Sequence, residues 1–219
     1  MKKSLVIPYA PELDELHMEE IGRQMETYGR KSGINCNNWA TSFPYEPLAA
    51  FLTAYSDNYI YVDFFVRGNY LKAENYTNNS PVSEDSCVEF FLRLPSSAEY
   101  WNFEFNCIGT INASHRERRD GAIRLTDEQL AMVKRYASCG TRPFHEMEGL
   151  FAWNLIIAIP FKLLGVNSVD EIPEYIEGNF YKCGSKTSSV HYLSWSPIGL
   201  EKPNFHCPEF FGTLNLAKR

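Results

Sequence analysis

Two stretches decide the fold: Cys87-Val88-Glu89-Phe90-Phe91-Leu92-Arg93-Leu94 and Tyr100-Trp101-Asn102-Phe103-Glu104-Phe105-Asn106. Side chains alternate across a β-strand, so residues i and i+2 share a face. Val88, Phe90, Leu92 and Leu94 then face one way, and Glu89 and Arg93 the other. Trp101, Phe103 and Phe105 likewise oppose Asn102, Glu104 and Asn106. A third stretch repeats the pattern, with Ile60, Val62, Phe64 and Val66 against Asp63 and Arg67. One apolar face and one face dense in Glu, Asp, Arg and Asn describe strands packed on a core from one side.

Outward from these stretches, residues 49–55 and 59–67 flank Ser56-Asp57-Asn58, which is a hairpin signal. The stretch that starts at Tyr100 is expected to run on to residue 108, and further strands are expected at 150–159, 179–183, 192–195 and 212–216. Residues 150–159 are apolar on both faces, which predicts cover on both sides. Thr126 opens the clearest helix: Gln129 completes a capping box, and Leu125 and Leu130 stand where a hydrophobic staple closes. This helix is expected to reach residue 135 or 136. A short turn at 160–164 ends at Gly165, and residues 13–28 carry a weaker helical pattern. The expected architecture is all-β: an antiparallel, jelly-roll-like β-sandwich with one or two short helices in its connections. A single domain is expected over 1–219, with the sandwich proper at about 34–217.

The chain of 219 residues is 44% hydrophobic and 15% aromatic, enough for a sizeable core. A net charge of −6 leaves no basic excess for a phosphate backbone or an anionic membrane surface, so neither nucleic acid nor membrane is an expected partner. The longest uncharged apolar stretch, 150–161, contains Asn154 and Pro160 and falls short of the about 20 residues a membrane span needs. At the N-terminus, Leu5-Val6-Ile7 meets Pro8 and then Glu12, which is too short for a secretory signal and favours the cytoplasm. Asn75, Asn78 and Asn112 are N-x-S/T acceptors, which matter only in a eukaryotic secretory pathway.

The six cysteines lie far apart with no CxxC pair, so they read as small buried hydrophobes and structural zinc is not expected. No His-Glu-x-x-His, G-x-S-x-G, GxGxxG or Walker pattern occurs. Planar amide, carboxylate and guanidinium groups beside aromatics suit sugar hydroxyls, each of which donates and accepts. The plain alternative is a solvated face with cross-strand ion pairs. Glu89 and Glu104 could form a glycosidase pair if suitably separated. In His115-Arg116-Glu117-Arg118-Arg119, Arg116 could reach a ligand at the sheet edge. Trp101 and Trp153 are in phase with core residues, and Trp39 is placed to pack an end of the sandwich. Trp195, in Leu193-Ser194-Trp195-Ser196-Pro197, stands at a strand end as a candidate stacking platform.

Residues 83–91, Tyr100-Trp101-Asn102-Phe103-Glu104-Phe105-Asn106, Leu193-Ser194-Trp195-Ser196-Pro197 and Phe205-His206-Cys207-Pro208-Glu209-Phe210-Phe211-Gly212 together resemble the family 9 carbohydrate-binding modules, in their stand-alone branch. The resemblance runs from about Trp39 to Leu216. It implies a β-sandwich related to the cytochrome part of cellobiose dehydrogenase and a non-catalytic, weak grip on a mono- or oligosaccharide chain end in polysaccharide utilisation. Of the family's two clamping tryptophans, the later falls on Trp195 and the earlier on Ser83. The acidic hydroxyl partner falls on Glu89, the strand asparagine on Asn106, and an arginine on Glu104. The expected ligand contacts are therefore Trp195, Glu89, Asn106, Arg116 and Glu104. No cofactor is expected; calcium, which some members bind, would draw on Glu84 and Asp85. Two alternatives are a structural or interaction sandwich that has lost the clamp and a glycoside-active enzyme using Glu89 and Glu104.

Overall fold

The computed structural model describes residues 2–95 and 97–219. Its strands are β1 (Ser4–Ile7), β2 (Arg30–Gly33), β3 (Leu48–Tyr55), β4 (Tyr59–Ala73), β5 (Cys87–Arg93), β6 (Tyr100–Asn106), β7 (Ile111–Arg116) and β8 (Ile123–Arg124). They continue with β9 (Lys134–Ala137), β10 (Phe144–Pro160), β11 (Tyr175–Gly184), β12 (His191–Ser194) and β13 (Gly212–Leu216). Two helices interrupt them, α1 (Met18–Tyr28) and α2 (Asp127–Met132). An 8-stranded sheet has the order β1-β13-β11-β5-β6-β7-β8, with β12 pairing on β11 as well. A 5-stranded sheet has the order β2-β3-β4-β10-β9. The expected β-sandwich is the observed architecture. Its pairs are antiparallel, except that β1 runs parallel to β13.

The inner faces meet where parity placed them. Val88, Phe90 and Leu92 from β5 and Phe103 and Phe105 from β6 join Val62, Phe64 and Val66 from β4 in one cluster. Phe180 sits at its centre, stacked 3.7 Å from Phe51 and 4.4 Å from Phe90 between ring centroids. Each such aromatic pair adds about 0.5–1.5 kcal/mol beyond area burial. Trp153 is buried in this cluster and Trp101 packs on its margin.

β10 is covered on both faces from Trp153 to Pro160, but the expected cover fails at the start of the stretch, where Leu150 is 65% exposed and Ala152 is also exposed. Leu155, Ile157 and Ile159 enter the inter-sheet core, while Ile156 and Ala158 pack outward with Ile21 and Met25 of α1. The capping box is present: the Gln129 amide N–H donates to Thr126 Oγ1 at 3.3 Å and the Thr126 N–H to Gln129 Oε1 at 2.9 Å. The helix nevertheless stops at Met132 rather than 135 or 136, because Lys134–Ala137 pairs with β10. Tertiary pairing overrides helix propensity there. Strand β6 likewise ends at Asn106 rather than 108, where Gly109 takes φ +80° to turn the chain.

Candidate functional site

The outer face of the larger sheet carries the polar residues, and its register brings them together. Glu89 of β5 is the cross-strand partner of Glu104 of β6, Glu104 of Asn112 on β7, and Asn102 of Ser114. Cys87 pairs in register with Cys183 of β11, and Cys183 with Tyr192 of β12. Directly opposed residues share a face, so a belt of carboxylate, amide, hydroxyl, thiol and guanidinium groups crosses five strands.

This face is roofed by the chain itself. Trp39 and Phe43 from one side, and Ile198, Phe205, Cys207 and Phe211 from the other, form an aromatic cluster with Phe91, Tyr100 and Tyr181. Trp39 Nε1 donates to the Leu200 carbonyl at 2.8 Å and Tyr181 Oη to the Phe205 carbonyl at 3.2 Å, tying the two roof segments to each other and to the sheet. Trp39 therefore packs on the outer face, at a roof rather than an end. His206 stands in the same roof, and Tyr100 Oη lies 3.1 Å from its Nδ1. Burial holds the His206 imidazole down to about 3, with Arg116 and Arg119 adding to the shift, so it is neutral at pH 7.

Beneath the roof the polar groups satisfy one another, except that Arg116 Nε is buried without a partner. Asn102 Nδ2 donates to Glu104 Oε1 at 3.1 Å, Asn112 Nδ2 to Glu104 Oε2 at 3.0 Å, and Ser114 Oγ to Asn102 Oδ1 at 2.6 Å. Arg116 donates to Ser114 Oγ and to the Arg119 carbonyl. Glu89 is 3% exposed and Glu104 7%. Burial pushes both carboxyls above their usual range, Glu89 far above it with the charges of Cys183 and Glu104 adding. Hydrogen bonds from Asn112 and Asn102 and the charge of Arg116 hold the Glu104 shift back. The face opens beside Arg116, in a cleft of about 520 Å³ lined by Glu99, Arg116, Glu117, Arg119, Asp120 and Ile123 among others.

The expected ligand contacts fall into different places. Trp195 is a correction: it is 1% exposed and lies between the sheets, its ring edge against Phe51 and Phe180. Its Nε1 donates to Ser32 Oγ at 3.0 Å, and a Cβ on Gly212 would stand 2.5 Å from its ring. No face of the indole is left for a sugar. Leu193, which is in phase with Trp195, is also buried. Asn179 fixes that phase by accepting from the Ser196 N–H at 2.8 Å and donating to the Ser196 carbonyl at 3.0 Å.

Asn106 is also committed elsewhere. Its Nδ2 donates to the Asn75 carbonyl at 2.6 Å and to Asp85 Oδ2 at 2.9 Å, while its Oδ1 accepts from the Thr110 N–H at 3.0 Å. It is a loop clamp rather than a free hydroxyl partner. Asp85 in turn accepts from the N–H groups of Glu74 and Asn75, and Glu84 pairs with Lys186 at 2.8 Å. The two acids named for calcium thus point to different partners. Glu89, Glu104 and Arg116 do share one face. Sequence reasoning missed its remaining members, Asn112, Ser114 and Cys183, which only register across strands could supply.

Comparison with known proteins places this geometry. The model of carbohydrate-binding family 9 matches residues 23–216. A candidate carbohydrate-binding protein from Bacteroides uniformis ATCC 8492 superposes with TM-score 0.93 at 34% identity, covering 99% of this chain and 100% of that one. A family 9 carbohydrate-binding module from Caldicellulosiruptor kristjanssonii is similar in fold in its glucose complex, with TM-score 0.53 at 14% identity and coverage of 99% and 97%. Its cellotriose complex gives TM-score 0.51 at 13% identity, covering 99% of this chain and 95% of that one. No curated protein matches the chain. With its sandwich, its outward polar belt and a family model spanning nearly all of it, the chain belongs to carbohydrate-binding family 9.

Proposed function

We propose that the protein binds a mono- or oligosaccharide without transforming it, at the open margin of the polar face beside Arg116. One observation carries the reading: the network Asn112–Glu104–Asn102–Ser114 ends in a half-buried guanidinium that borders the 520 Å³ cleft. A cleft of that size accommodates one or two pyranose rings. Glu104 orients Asn112, and Ser114 orients Arg116, so the donors that face outward are held in place. The glucose- and cellotriose-bound family members support the choice of ligand class.

A non-catalytic role is supported by the burial of the two carboxyls rather than by their spacing. Glu89 and Glu104 are direct cross-strand partners beneath the roof, 3% and 7% exposed, and both Glu104 oxygens are occupied by amides. With no exposed aromatic platform at this margin, affinity is expected to be weak. Titration calorimetry and heteronuclear NMR against glucose, cello-oligosaccharides and a broader sugar panel test the reading. Arg116→Ala should reduce affinity at least tenfold while leaving the melting curve close to the parent's. A panel without a single shift or heat, or full affinity in Arg116→Ala, would overturn it.

The second reading is an interaction sandwich that has lost the family's sugar clamp. It is favoured by the buried indole of Trp195 and by Ser83, whose carbonyl is occupied by the Ser185 N–H at 2.8 Å. A silent sugar panel together with a stoichiometric protein partner recovered on the polar face would select it.

A further inference from the structure

Cys87, Glu89 and Cys183 form a cluster that the saccharide reading does not use. All three are buried, and their Sγ and carboxylate oxygen atoms lie within 4.8 Å of one another. Glu89 Oε1 is 3.1 Å from Cys183 Sγ and 3.7 Å from Cys87 Sγ. Cys87 and Glu89 are i and i+2 on β5, and Cys183 is the register partner of Cys87, so the backbone of two paired strands fixes all three. It is the one grouping of three such side chains among the described residues.

We propose that Cys87, Glu89 and Cys183 constitute a binding site for a thiophilic divalent cation, zinc in the first instance. Zinc takes thiolate sulfur at about 2.3 Å and carboxylate oxygen at about 2.0 Å, so a tetrahedral site places sulfur and oxygen about 3.5 Å apart and two sulfurs about 3.8 Å apart. The observed 3.1 and 3.7 Å bracket that sulfur–oxygen edge. Two thiolates exclude calcium and magnesium as the preferred ions, since these take hard oxygen ligands.

The electrostatics point the same way. Among the described residues no Lys or Arg forms an ion pair with Glu89. The nearby ammonium of Lys182 is engaged by the Cys183 carbonyl at 2.6 Å and His191 Nε2 at 2.8 Å. A buried carboxyl between two thiols, with no cation paired to it, is an expensive arrangement unless protons or a metal neutralise it. Binding would release the two thiol protons and any proton on Glu89. Tyr192, the half-buried register partner of Cys183 on β12, stands on the same face.

This site is hidden from sequence spacing because its ligands come from strands almost a hundred residues apart. It shares no ligand residue with the cleft beside Arg116, so different variants test sugar binding and metal binding. The test is to strip the reduced full-length protein with chelator and refold it with cobalt(II) or zinc. One metal per chain is expected by atomic emission, with a thiolate-to-cobalt charge-transfer band that zinc displaces. Cys87→Ser and Cys183→Ser should each weaken the band and lower affinity at least tenfold. Glu89→Gln should keep the band but bind more weakly, and Cys36→Ser should match the parent. Should the cysteine variants fail to fold, the parent alone decides. A folded, reduced parent that binds no stoichiometric metal overturns the proposal. So does a band unchanged in Cys87→Ser, or a native protein whose mass and thiol count show Cys87 and Cys183 joined as a disulfide.

Discussion

The larger sheet turns Glu89 and Glu104 outward beneath the roof segments around Trp39 and Phe205, whereas the smaller sheet turns Asp63 outward beneath α1. Both faces bury carboxyls, but they differ in how completely those carboxyls are partnered. Glu104 has an amide on each oxygen. Asp63 has only Asn154 Nδ2, at 3.4 Å from Oδ1, and its Oδ2 is buried without any partner. Gly22 of α1 lies against it, so close that a Cβ there would stand 3.3 Å from Oδ2. A polar belt spread over several paired strands can satisfy its carboxyls, leaving only Arg116 Nε without a partner, while a single acid under a helix cannot. An unsatisfied buried group costs about 1–3 kcal/mol.

The comparison can be broken at several points. The largest effect is expected where neither outer face is involved: Trp195→Ala should lower the unfolding free energy by about 3–5 kcal/mol, as for other buried large-to-small changes. A loss under about 1 kcal/mol in denaturant titration would return the indole to the surface and reopen its stacking role. Asp63 comes next. Burial raises its carboxyl from 3.8 to about 7, with the charge of Glu26 adding and Asn154 opposing. The folded state therefore holds its proton more tightly than the unfolded chain. Stability is full below about pH 4 and declines as pH rises to about 7, by up to about 4 kcal/mol. Asp63→Asn should flatten that part of the pH–stability curve. An unchanged slope would show that α1 does not seal the acid.

Smaller effects probe the satisfied face. Asp85→Ala strips the partners of two backbone N–H groups and of Asn106, and should cost about 1–3 kcal/mol. Equal stability in that variant would mean that the loop clamp is slack. The Arg93–Glu177 pair, 2.6 Å apart but about a quarter exposed on each side, should yield less than about 1 kcal/mol in a double-mutant cycle. A larger coupling would mean that the roof shields this edge from solvent.

Parity made the inner face legible, because Val88, Phe90, Phe103 and Phe105 leave only one way for β5 and β6 to pack. It made the outward direction of Glu89 and Glu104 legible too. It could not show what covers that face, since Phe43, Ile198 and Phe205 lie in segments with no period to read. The same gap explains Trp195, whose neighbours Ser194, Ser196 and Pro197 look like a loop. Its direction is imposed by Asn179, which docks residue 196 from another strand. The strands β1, β2, β8 and β9 were invisible for a different reason. Each spans four residues or fewer, too short for a period of two to show.

The parallel pairing of β1 with β13 bears on assembly order. Leu5 and Leu214 sit side by side in one sheet, so β1 must wait for a strand synthesised far later to complete its hydrogen bonds. Until then β1 is an unpaired edge, and β13 can arrive only after β11 is in place to receive it on the opposite side. Joining such remote segments is slow compared with closing the β3–β4 hairpin. Final locking of this sheet is therefore a late event, and a nascent chain stalled short of residue 212 would leave an edge open to annealing with another molecule.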